Sequence, residues 1–295
     1  MVEPSRTSAQ APVEDPGPND PTNNFVTCIH QVRVEEIFCH VTVTWAKTMI
    51  SHTLYITVEN PTGGSATTST ATGAGNEEEE NHYTCKIDLK TWQFWGKKGL
   101  KTFRVAEKRF DVFWDLRAAK FSSRPEPDSS YYVAMVSSGE MVLLLGDQRD
   151  EAVKRTKSRI CLEGTMLVHK KEIVYAKKCF CTKMALGRNG EHSIMIEASL
   201  TGPCDPEMWI VVDGRESIRV PNLHWRFRGN DTIIIDEIPV QILWDVHGWL
   251  YNNGSNDGVG IFAFRRVPED EGNGSSEEEA AALVEFCHFV YACRI

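Results

Sequence analysis

The sequence has no long apolar run. Its longest near-continuous stretch is Met141 to Leu145, whereas a helix crossing a bilayer needs about 20 residues, so no spanning segment is expected. The first 24 residues lack the apolar centre of a secretory signal, and Val2 stands where myristoylation needs glycine. These absences lead us to expect a soluble chain inside the cell, in the cytoplasm or nucleus or held at the periphery of the plasma membrane. The nine cysteines are odd in number and scattered, with no paired Cys-x-x-Cys turn, so reduced, buried thiols are expected and neither a disulfide framework nor a metal site is. The sequence also lacks a phosphate-binding Gly-x-x-x-x-Gly-Lys-Ser/Thr loop, a Gly-x-Ser-x-Gly elbow, a His-Glu-x-x-His helix and a dinucleotide-binding Gly-x-Gly-x-x-Gly turn. Their absence weighs against an enzyme, and no cofactor is expected.

What is present is an ordinary globular balance, 41% hydrophobic and 25% charged, enough for a sizeable core. The net charge of -9 is unevenly placed: residues 1–24 carry -3, 77–80 carry -4 and 268–279 carry -6, which leaves the remainder at +4. Residues 1–24, 61–81 and 268–281 are poor in apolar groups, so they read as a disordered tail and two disordered acidic insertions. The body is mildly basic.

Elsewhere the dominant period is two. Val26, Cys28, His30, Val32 and Val34 alternate with polar neighbours, as do Cys39, Val41, Val43 and Trp45, then Phe110, Val112, Trp114 and Leu116, and later Val240, Ile242 and Trp244. That is the pattern of strands with one buried face. Only residues 147–159 suit a helical connector, with Asp147 as its N-cap.

Shifting the chain by 130 residues superposes 92–116 on 222–246, with Trp95/Trp225, Gly99/Gly229, Thr102/Thr232, Glu107/Glu237, Trp114/Trp244 and Asp115/Asp245 identical. The fold expected is therefore all-β: two tandem related antiparallel sandwich-like or barrel-like halves packed together, residues 25–146 and 160–295, joined by the helix. Trp95, Trp114, Trp225 and Trp244 are expected to be structural, and each Asp of the Trp-Asp pair to cap a turn.

Several runs carry a resemblance: Asn222-Leu-His-Trp-Arg-Phe-Arg-Gly-Asn230, Ile242-Leu-Trp-Asp-Val-His-Gly-Trp-Leu250, Val112-Phe-Trp-Asp-Leu-Arg-Ala-Ala-Lys-Phe121 and Met141-Val-Leu-Leu-Leu-Gly-Asp147. They resemble the plant family of unknown function called domain of unknown function 868, over residues 24 to 295. The resemblance implies a plant protein and carries over no catalytic residue, cofactor or substrate.

The functional expectation is a non-catalytic β-rich module that binds a protein partner or an anionic membrane surface. Its basic candidates are Lys154, Arg155, Lys157 and Arg159, with Arg226 and Arg228 flanking Phe227. Nucleic acid is disfavoured, since no RNP-like or oligonucleotide-barrel pattern accompanies the charges. The alternative is an enzyme or small-ligand carrier with a pocket between the halves, using Asp115 or Asp245 with His224 or His247.

Overall fold

The structure, a computed structural model, describes residues 24–49, 51–59, 82–90, 96–122, 124–185, 190–200, 205–251, 258–267 and 286–294. Residues 1–23 of the expected tail and both acidic insertions lie outside the described residues, as does Trp95; Asn24, the last residue of that expected tail, instead belongs to a strand. The chain is all-β. A meander of β1 (Asn24–Val34), β2 (Ile37–Lys47), β3 (Ser51–Glu59) and β4 (His82–Lys90) is followed by the hairpin β5 (Lys98–Val105) and β6 (Lys108–Asp115). The short pair β7 (Lys120–Phe121) and β8 (Pro127–Ser129) leads to β9 (Tyr132–Ser137), β10 (Glu140–Gly146), helix α1 (Arg149–Thr156) and β11 (Arg159–Ile160). Then come β12 (Met166–Tyr175) and a second meander of β13 (Cys179–Met184), β14 (His192–Ser199), β15 (Glu207–Val212) and β16 (Arg215–Val220). The hairpin β17 (Arg228–Ile235) and β18 (Ile238–Asp245), helix α2 (His247–Tyr251), β19 (Val259–Arg266) and β20 (Cys287–Cys293) complete the order.

One nine-stranded sheet, in the order β17-β18-β19-β20-β12-β1-β2-β3-β4, forms a common floor. A five-stranded sheet (β11-β10-β9-β6-β5) and a four-stranded sheet (β13-β14-β15-β16) stand apart from it. Buried side chains fall into two large clusters. One joins β1–β4 to β5, β6, β9 and β10, the other joins β13–β16 to β17–β20 and α2. Each is what two sheets packed face to face produce. The two cores share one sheet, because β12 pairs antiparallel with β1 and parallel with β20, so a single sheet runs under both. No sheet closes into a barrel among the described residues.

Local sequence explains the strands. In β2, Cys39, Val41, Val43 and Trp45 are buried while His40, Thr42 and Thr44 face outward, as period two requires. Every residue of β9 is buried, because α1 lays Ala152 against Tyr132, Ala134 and Val136 on the face turned away from the first core. The helix is shorter than expected. Gln148 occupies the N-cap without a side-chain bond, and Asp147 Oδ1 instead accepts the Tyr131 N–H at 3.1 Å. Lys157, at φ 54°, ends it in the left-handed region.

The two Trp-Asp hairpins make matching contacts. Gly99 faces Trp114 and Gly229 faces Trp244 across the strands. A Cβ at either glycine would come within 2.4 Å or 2.6 Å of the ring, so only glycine lets the indole lie over the neighbouring strand. Trp114 Nε1–H donates to Gly96 O at 2.7 Å, and Trp244 Nε1–H to Arg226 O at 3.1 Å. Both rings are buried. Trp225 is not: it is 80% exposed, because it sits in the turn before β17, with its N–H closing onto Asn222 O, and faces no second sheet.

Trp244→Ala is therefore expected to cost about 3–5 kcal/mol and Gly229→Ala about 1–3 kcal/mol through the forced ring shift. Trp225→Ala should stay within about 0.5 kcal/mol. Urea denaturation of the three variants checks the contrast, and equal losses for Trp244 and Trp225 would contradict the packing.

Candidate functional site

The most unusual chemistry lies in the joint between the two cores. Lys170 and Glu172, two residues apart on β12, share its inward face. Lys170 stands in register with Cys28 on β1 and His288 on β20. Lys170 is 6% exposed, Glu172 2% and His288 0%, and charges so placed need partners. The connection into β8 supplies them. Lys170 Nζ donates to Glu126 Oε2 at 3.1 Å, Arg124 Nη2 reaches the same oxygen at 2.5 Å, and the Cys28 thiol donates to Glu126 Oε1 at 3.8 Å. Arg124 Nη1 lies 3.9 Å from Glu191 Oε2. Further along, Glu172 accepts from the Thr182 hydroxyl, and His288 Nε2 lies 3.4 Å from it without hydrogen-bond alignment.

A cavity of about 160 Å³ opens beside this cluster. Val43, Trp45, Leu145, Leu167 and Phe286 form its apolar wall; Cys28, His30, Glu126, Tyr131 and Lys170 form its polar end; Ala185 and Glu191 complete the lining. The β1–β12 register slips between Ile29 and His30, a bulge at the edge of the cavity of the kind that re-aims a side chain.

Burial pushes the Cys28 thiol up to about 12, with Glu126 adding to the effect. Burial likewise holds the His30 imidazole down to about 4 and raises the Tyr131 phenol. Burial opposes the charge of Lys170, but Glu126 and then Cys28 and Glu172 outweigh it and hold the ammonium above its ordinary value. Glu172 is opposed by burial in the same way, yet His288, Lys170 and Thr182 keep its carboxyl below the ordinary range. A thiol that donates to a carboxylate, beside a neutral imidazole, is not a thiolate–imidazolium pair. The arrangement suits binding.

The residues expected from sequence to be functional lie elsewhere. Asp115 accepts the Arg117 N–H at 3.3 Å and pairs with Lys98 and Arg117. Asp245 accepts the His247 N–H at 3.3 Å and pairs with Arg228 at 2.6 Å. Both carboxylates thus cap turns. The His247 ring packs edge-on against Phe227, with centroids 5.0 Å apart, and exposed His224 lies beside Trp225. No acid–base pair forms from these four. Lys154, Arg155, Lys157 and Arg159 are exposed on and after α1. Arg226 lies in the turn before β17, so it does not share a strand face with Arg228. Among the described residues no three His, Cys, Asp or Glu side chains gather in a way that could hold a metal ion.

Sequence reasoning missed Arg124, Glu126, Lys170, Tyr131 and the Cys28–His30 face as a site. A signal was present: adjacent residues of a strand point to opposite faces, so Lys170-Lys171-Glu172 in a strand must bury either Lys171 or the other two.

Iodoacetamide at pH 8 is expected to label the exposed Cys179 and Cys181 and to leave Cys28 unmodified in the folded chain, read by peptide mass spectrometry; early labelling of Cys28 would contradict its environment. Because the His30 pKa falls from an ordinary 6.5 to about 4 on folding, the unfolded chain takes the proton first. Its contribution to stability is complete above the ordinary value and declines as pH drops towards the folded one. The stability difference between the wild type and His30→Asn should therefore shrink across that window in urea titrations, and a constant difference would refute a half-buried neutral ring.

No helix of the described residues is long and apolar enough to cross a membrane. Comparison with curated proteins finds no match, and neither does comparison with solved structures. The family described as "Plant protein of unknown function (DUF868)" matches residues 21–294. With the match covering nearly the whole chain, this protein belongs to that plant family.

Proposed function

We propose that the chain is a non-catalytic binding module, working inside the cell, that docks a protein partner on the open face of the nine-stranded sheet. The observation that carries this reading is the outward face of β18, β19, β20, β12 and β1. Phe25, Ile173, Tyr291 and Ile261 stand in register as one row, and Thr27, Lys171, Phe289, Ala263 and Leu243 as the next. The inward residues of these strands face the cores or the joint between them, whereas Ile261 is 40% and Leu243 36% exposed. His169 stacks towards Phe289 with centroids 5.2 Å apart, and Lys171 Nζ sits 5.1 Å over the Tyr291 ring. An aromatic surface of this kind with few charges fits an apolar protein surface.

A lipid surface is less well matched. Arg228 on this face is tied to Asp245, Lys86 lies 3.6 Å from Asp88, and acidic Asp150 and Glu151 accompany the basic residues of α1. The eight described cysteines are free thiols, which supports a reducing compartment. The matching contacts of the two Trp-Asp hairpins support reading them as copies of one unit whose indoles are structural.

The test compares the wild type, a double variant Ile261→Lys and Leu243→Lys, and a control Lys154→Glu, by crosslinking in plant extract and by co-sedimentation with acidic vesicles. A partner retained by the wild type and the control but lost from the double variant, at unchanged melting temperature, is expected. Retention by the double variant would overturn the docking face. Salt-sensitive pelleting with vesicles, enhanced by the added lysines, would replace the protein partner with a membrane.

A further inference from the structure

We propose that the cavity between the two cores binds a small, neutral single-ring compound carrying one oxygen function, of the phenol or aromatic amide class. This site lies on the inner side of the sheet, away from the docking face, so either proposal can fail alone.

The charge balance sets the first requirement. Lys170, Arg124, Glu126 and Glu172 are all largely enclosed, and their charges sum to zero. A charged ligand would add an uncompensated charge to a desolvated site, which is strongly unfavourable. Glu191, 52% exposed, disfavours anions further.

Hydrogen-bonding capacity sets the second. Both oxygens of Glu126 are engaged, Oε2 by Arg124 and Lys170 and Oε1 by the Cys28 thiol. Donors, by contrast, are spare. An ammonium has three hydrogens, and among the described residues Lys170 Nζ donates to Glu126 alone. Neither the Tyr131 hydroxyl nor the His30 ring, both lining the cavity, has a hydrogen-bond partner among the described residues. A ligand oxygen can accept from Lys170, and a ligand hydroxyl or amide N–H can donate to His30 or Tyr131.

Size and shape set the third. The cavity of about 160 Å³ is close to the roughly 150 Å³ that holds a benzene ring. Trp45, Leu145 and Phe286 supply the apolar surface against which such a ring packs.

Isothermal titration of the full chain at neutral pH with benzamide, phenol, toluene and benzoate tests the proposal. Benzamide and phenol should bind stoichiometrically, with toluene and benzoate at least about ten-fold weaker, since one lacks the oxygen and the other brings the charge. Lys170→Met should weaken benzamide by about ten-fold or more. Ala185→Trp, at an exposed position of the lining, should abolish binding while leaving the urea midpoint unchanged, and it decides the matter if the Lys170 variant does not fold. Tighter binding of benzoate than benzamide, equal binding of toluene, absence of binding by all four, or an Ala185→Trp variant that binds normally would each overturn it.

Discussion

A lysine buried in the middle of a strand must be neutralised where it stands, and Lys170 occupies the one strand that both cores share. β12 is the only described strand hydrogen-bonded to strands from both sides of the joint, β1 and β20. Its partner Glu126 arrives from the connection preceding β8, 44 residues earlier in the chain. The ion pair therefore ties that connection to the floor at the place where the two cores meet. A well-packed apolar pair at this point would be at least as stable. What the charged pair adds is selectivity of register: sliding β12 by one residue would bury Lys171 and turn Lys170 out, leaving Glu126 and Arg124 unmatched.

The Trp-Asp hairpins solve a different problem, the ends of sheets. β5 ends the five-stranded sheet and β17 ends the nine-stranded one, and an unpaired edge needs protection. In each hairpin the indole lies across a glycine of the edge strand and donates to a carbonyl 18 residues back in the chain. Next to it the aspartate accepts a backbone N–H two residues on and pairs with a cation at the start of the edge strand. The tryptophan and the aspartate of each pair thus do structural work, which accounts for why neither carboxylate faces a cleft.

Much of the architecture was legible because its determinants are local. Strand alternation is visible within ten residues, and the hairpin contacts close over 18. Trp225, expected to be structural, is exposed because it lies in the turn before β17, where no second sheet covers it. α2 is only five residues long, too short for helical periodicity to register. The cavity was invisible for the opposite reason. Cys28 and Glu126 are 98 residues apart, and Lys170 joins them only because β12 lies alongside β1. Alternation along β12 places Lys170 and Lys171 on opposite faces of the sheet.

That opposition has a functional corollary. Lys171 stands over Tyr291 on the open face, and Lys170 reaches into the cavity, one peptide unit away. Lys170 is held by its ion pair and β12 by strands on both edges, so the strand is a stiff divider between the two surfaces. A ligand that drew the Lys170 ammonium away from Glu126 would act on the same peptide that positions Lys171. Any resulting change in affinity on the open face would be matched, by thermodynamic linkage, by an equal change in affinity for the cavity ligand when a partner docks. The sheet that joins the two cores is thus also the shortest physical route between its two candidate binding surfaces.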